Sequence, residues 1–169
     1  MHTAEVLADA YGRIRECVHG VVDGLSQEEL DRRPAPAANT IAWLIWHLAR
    51  VQDDHLADAS GRPQVWTAQG WAERFRLPLD ARDIGYGHTT EQAGLVRGVP
   101  GADLLGYYDA VHAQTLDIVH GLSAPDLDRI VDASWDPPVT LGVRLVSVVS
   151  DDLQHAGQAA YVRGLLRSG

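Results

Sequence analysis

Four long runs of apolar residues at helical spacing constrain this chain more than any other feature it has. From Thr3 to about Leu25 they fall at Leu7, Ala10, Tyr11, Ile14, Val18, Val21, Val22 and Leu25, the three- and four-residue steps of a core-facing helix. Similar runs lie near residues 40–59, 102–122 and 140–166, and there is no convincing run of strand residues. Thr3, Asn39 or Thr40, and Thr140 stand where helix N-caps are needed, and Gly24 and Gly61 where helices stop. Ser26 and Glu29 have the spacing of a capping box for a short extra turn. Four amphipathic helices cannot each leave an apolar stripe in water, so the expected fold is all-α, an antiparallel four-helix bundle. At 169 residues, 46% of them hydrophobic, the chain can bury one core, and residues 1–169 read as a single domain.

Between Gly61 and Gly101 the periodicity is lost. Glycines and Pro78 alternate with Trp66, Trp71 and Tyr86, and short helical pieces are expected only around Trp71–Phe75 and Thr90–Val96. A stretch this long without regular structure, set between helices two and three, reads as a long irregular lid.

Two windows carry chemistry. In the last helix Asp151 and His155 are one turn apart and share a face. A carboxylate and an imidazole on a largely apolar stripe are costly to bury unless something pairs them, and a divalent cation would do so. The pair needs a third ligand, because Asp and His at this spacing commonly make only a helix-surface contact. His47, inside the apolar run Ile41–Ala49, is the candidate; read alone, that window equally describes a core histidine with backbone partners.

The windows Trp46-His47-Leu48 and Asp151-x-x-x-His155-Ala156-Gly157-Gln158, in this order and on these helices, resemble the DinB-like family of four-helix-bundle metalloproteins. The nearest resemblance is to the branch that includes mycothiol-dependent maleylpyruvate isomerase and related thiol S-transferases. It covers nearly the whole chain and implies metal ligands at His47, Asp151 and His155. Asp151 departs from the His or Glu usual at its position. Two imidazoles and a carboxylate suit Zn²⁺ best, with Ni²⁺ or Fe²⁺ as alternatives.

The resemblance implies a metal-dependent thiol transferase or isomerase acting on an electrophilic small molecule with a low-molecular-weight thiol, mycothiol or one like it. The same ligand set would also serve a metal-dependent hydrolase, with Asp54 or His88 as base, or a non-catalytic metal-binding bundle. Arg144 and His88 are the candidate cofactor-binding residues: one as a guanidinium for an anionic group, the other on a loop flanked by glycines. Some of Trp66, Trp71 and Tyr86 are expected to wall a cavity over the ligands if the chain is a transferase, and all of them to pack as a satellite core if it is not. Asp152 is expected in the solvent or behind the ligands, and His55, about 80° round from His47, outside the site.

The formal charge of −9 and the absence of lysine, all fourteen cations being arginine, argue against a nucleic-acid partner. Lone Cys17 cannot form an intrachain disulfide, which fits a reducing compartment. The N-terminal residues lack a signal-peptide pattern and no run is long and apolar enough for a bilayer, so a cytoplasmic chain with no membrane partner is expected. A bundle of this kind also offers faces for a homodimer.

Overall fold

The computed structural model describes residues 2–168. Four long helices dominate: α1 (Thr3–Val22), α3 (Ile41–Ser60), α7 (Gly101–His120) and α8 (Leu141–Arg167). Short helices α2 (Gln27–Asp31), α4 (Val65–Ala68), α5 (Trp71–Phe75) and α6 (Thr90–Ala93) lie in the connections. The caps are mostly those expected. Thr40 Oγ1 accepts from Trp43 N–H and Thr140 Oγ1 from Val143 N–H, while Ser26 and Glu29 satisfy each other's backbone N–H at α2. Thr3 is not a cap. It is the first residue of α1, and Glu5 accepts from the N–H of His2.

The helices form a four-helix bundle in which α1 and α3 each pack against both α7 and α8. Helices α1 and α3 therefore lie across the diagonal from each other, as do α7 and α8. The connections 23–40 and 121–140 are long enough to cross between diagonal partners; the lid joins neighbours, α3 and α7. The pair in closest company is α3 with α8, the two helices that carry the candidate ligands.

Helix α3 is the centre of the molecule. Most of its residues are buried, including His47, Arg50, Gln52 and Asp53, because α7 and α8 cover one side and the lid covers the other. A helix surrounded in this way must satisfy its polar groups internally. Arg50, fully buried, donates to the carbonyls of Ala81 (3.2 Å) and Asp83 (3.2 Å) and to Gln64 Oε1 (2.9 Å), with its guanidinium over the Trp66 ring. Asp53 accepts from the N–H groups of Val65 and Trp66 at the start of α4 and from the Tyr107 hydroxyl, and lies 3.7 Å from Arg50. The irregular segment is thus clamped to the bundle by side chains of α3.

One small difference from the all-helical expectation is a two-stranded antiparallel pairing of β1 (Ile130–Asp132) with β2 (Val139–Thr140). It is too short to change the fold class, but it carries Asp132 to the side of α8.

Candidate metal centre

Helices α3 and α8 bring one ligand atom each from His47, Asp151 and His155 to within 4.8 Å of one another. Each imidazole is held from behind. The Nδ1–H of His47 donates to the carbonyl of Ile84 at 2.5 Å, and the Nδ1–H of His155 donates to Gln158 Oε1 at 2.9 Å. A carbonyl oxygen can only accept, so both rings carry their proton on Nδ1 and turn the Nε2 lone pair to the cluster. His155 Nε2 lies 3.6 Å from Asp151 Oδ1. The other carboxylate oxygen, Asp151 Oδ2, is buried with no hydrogen-bond partner.

These residues fit a divalent cation. Two imidazole lone pairs and an orphaned carboxylate oxygen converge, and both rings have the outer hydrogen bond that fixes a metal-binding tautomer. Burial holds His47 below the usual histidine pKa, with the neighbouring His155 acting in the same direction, so the ring is in its neutral, ligating form at neutral pH.

The approach of the Ile84 carbonyl requires a glycine beside it. Gly85 has φ +86°, and a Cβ there would stand 2.7 Å from His47 Nδ1 and 2.9 Å from the Trp46 ring. On its other side His47 stacks on Trp43, with centroids 4.6 Å apart and planes 15° apart.

A cavity of about 140 Å³ reaches the cluster, lined by His47, Val51, His55, Ile84, Tyr86 and Arg144, with Ser147, Val148 and Asp151. Ser147 and Asp151 also border an open groove of about 610 Å³ along the outside of α8, which includes Val143, Val146 and Gln154. The lid aromatics divide. Trp66 packs with Phe75 and Tyr107 into the main core of the bundle and Trp71 packs against it, whereas Tyr86 stands exposed at the cavity rim.

The structure separates the two expected cofactor-binding residues. Arg144 does line the cavity, but its guanidinium is held by Asp132 Oδ2 (3.1 Å) and His55 Nδ1 (3.2 Å). His88 stands behind the site. Its Nδ1 accepts from Trp43 Nε1–H (3.1 Å) and its Nε2–H donates to Asp83 (2.9 Å), so both nitrogens are committed to holding Trp43 and the turn at Gly85. Loop position suggested a ligand contact; the indole partner, remote in sequence, could not be foreseen.

Two further placements bear on the sequence reading. Asp152 is neither in solvent nor bonded behind a ligand: it is fully buried, and neither oxygen has a partner. Leu145, Val148, Ala156 and Ala159 are buried on the same stripe of α8, and that spacing already marked position 152 as interior. Burial, reinforced by Asp151, drives its carboxyl well above the usual range. Asp54 is only half-buried but is engaged by Gln64 Nε2 at 2.7 Å.

Comparison with known proteins agrees with this architecture. A family model described as the DinB superfamily matches residues 10–159. A solved structure, described as the crystal structure of a conserved protein of locus from Enterococcus faecalis, is 30% identical in sequence. The alignment covers 100% of this chain and 99% of that one, with a TM-score of 0.93. No curated protein matches the chain.

Proposed function

The chain belongs to the DinB superfamily, and on that premise we propose that it is a metal-dependent thiol transferase or isomerase. The observation that carries the reading is the unpartnered Asp151 Oδ2 beside two histidines locked in the ligating tautomer, beneath a cavity open to solvent. A purely structural metal would be closed over, with no room for a further ligand.

His47, Asp151 and His155 would hold the cation, which at such a site supplies Lewis acidity and lowers the pKa of a thiol that reaches it. The protein's own residues do the rest. Ile84 and Gln158 keep the imidazole protons outward, so neither ligand can serve as an acid toward the thiol. Val51, Ile84 and Val148 make part of the wall apolar, which limits the water around a nucleophile. Cys17 offers no competing nucleophile, since burial raises its thiol pKa. The inner cavity has the size of a reacting end only. The body of a larger thiol, mycothiol or one like it, would lie along the outer groove that meets the cavity at Ser147 and Asp151. A zinc-type ion is the fit for this donor set, and an electrophilic small molecule is the second substrate.

A hydrolytic role fits less well, because the two candidate bases, Asp54 and His88, are both engaged by other side chains. The test is thiol consumption by the zinc-loaded protein with mycothiol, glutathione or cysteine and an electrophilic dye precursor. Acceleration by at least one thiol, lost in His155→Ala, is expected. Ester hydrolysis without any thiol dependence would overturn the reading.

A further inference from the structure

Helical spacing placed His55 outside the site, two turns after His47 on α3 and well round the helix. In the structure it lines the same cavity as His47 and Asp151. Arg144 reaches across from α8 and places a guanidinium N–H on His55 Nδ1 at 3.2 Å, while Asp132, delivered by the short hairpin, anchors that guanidinium from its other nitrogen at 3.1 Å. Arginine has donors only, so His55 Nδ1 must be the acceptor and the ring proton must sit on Nε2. This is the opposite tautomer to those of His47 and His155. Asp54 approaches the same Nδ1 only to 3.9 Å, beyond hydrogen-bond range, and spends its Oδ1 on Gln64.

We propose that His55 is a further binding residue of this site, held by Arg144 as a neutral Nε2–H donor for a carbonyl or carboxylate oxygen of the ligand whose other end occupies the cluster of His47, Asp151 and His155. Arg144 is then a positioning residue: its charge is already matched by Asp132, and it acts through His55 and not as an anion clamp of its own. The neutral form is favoured by burial and by the Arg144 charge, against the opposing pull of Asp54, Asp151 and Asp58. A neutral imidazole donating a hydrogen bond polarises a carbonyl without transferring a proton to it. The inference deepens the thiol-transfer reading and rests on it for the nature of the ligand's other end: the substrate or its thiol should carry an acceptor oxygen within a cavity length of the sulfur.

Two measurements test it. In the zinc-loaded protein, long-range ¹H–¹⁵N spectra should show His55 protonated on Nε2, with His47 and His155 protonated on Nδ1. Arg144→Met should release His55 to a mixture of tautomers while leaving the other two rings unchanged. A wild-type His55 protonated on Nδ1 overturns the proposal. In the cobalt-loaded protein, optical titration with ethanethiol, mercaptoacetate and acetate reads binding directly. Mercaptoacetate should bind about tenfold more tightly than ethanethiol, the worth of one hydrogen bond to a charged acceptor. His55→Phe should abolish that ratio without changing cobalt content or ethanethiol affinity, and His55→Gln, which keeps an N–H, should restore part of it. If thiols bind with the ratio intact in His55→Phe, the His55 assignment fails and the thiol reading stands. If only acetate binds, and His55→Phe weakens it, the thiol reading fails and the assignment stands. If none of the three binds, both fail.

Discussion

A single methyl group is enough to test the support behind His47. In Gly85→Ala the new Cβ would stand 2.7 Å from His47 Nδ1 in a backbone with φ +86°, so the turn must shift and the Ile84 carbonyl must leave the imidazole. Loss of such an outer hydrogen bond is expected to weaken metal binding about 10- to 100-fold. Gly87→Ala is the control: φ is +72°, but no atom lies within 4 Å of the added Cβ, so stability should fall while metal affinity holds. Equal affinity losses in the two variants would mean that the turn, and not the Ile84 bond, sets the site. Asp152 makes a second prediction, for the metal-free chain. Its folded pKa lies above the ordinary 3.8, so the folded chain keeps a proton that the unfolded chain gives up. Its contribution to stability is therefore greatest below about pH 4 and is lost as pH rises toward the folded pKa. Asp152→Asn lacks this loss. Its melting temperature relative to wild type should rise steadily from pH 3.5 to pH 7, and an offset independent of pH would contradict the assignment of a buried, protonated carboxyl.

The long helices could be read from apolar residues recurring at helical spacing, and their observed ends fall within about three residues of the expected ones. Asp151 and His155 could be placed together for the same reason: both lie on one helix, where spacing fixes geometry. His47, Arg50, Asp53 and His55 illustrate what local pattern does not carry. All four sit on one helix, yet their roles come from partners in the lid, in α7 or in α8, and those contacts exist only after the chain has folded. The fate of the lid aromatics was hidden for the same reason. Trp66 could be recognised as large and loop-borne, but the cluster that buries it includes Tyr107 from α7. The clamp between α3 and the lid has its own consequence. Arg50→Met removes the cation beside buried Asp53 and frees the carbonyls of Ala81 and Asp83. Breaking one side of a buried pair costs about 3–5 kcal/mol. Chemical denaturation should show a loss of that order, with faster hydrogen exchange over residues 81–89. A loss below about 1 kcal/mol would mean that the lid is held by the aromatic cluster and not by Arg50.

Across the bundle, the fold places its polar groups in two layers around α3. The inner layer, Arg50, Asp53 and Tyr107, fixes the lid; the layer next to α8 gathers His47, His55, Arg144, Asp151 and His155 at the cavity. Diagonal placement of α1 and α3 leaves the long face between α3 and α8 for the site, an arrangement that apolar periodicity alone cannot choose over sequential neighbours. Among the described residues no helix is long and apolar enough to cross a membrane. The cluster of His47, Asp151 and His155 at that face could hold one divalent cation. Titration of the purified, metal-stripped chain with zinc, followed by elemental analysis, measures this directly. One equivalent should bind per wild-type chain, with affinity sharply lower in His47→Ala, His155→Ala and Asp151→Asn, and much less affected in Asp152→Asn. Unchanged stoichiometry and affinity in both histidine variants would contradict the assignment.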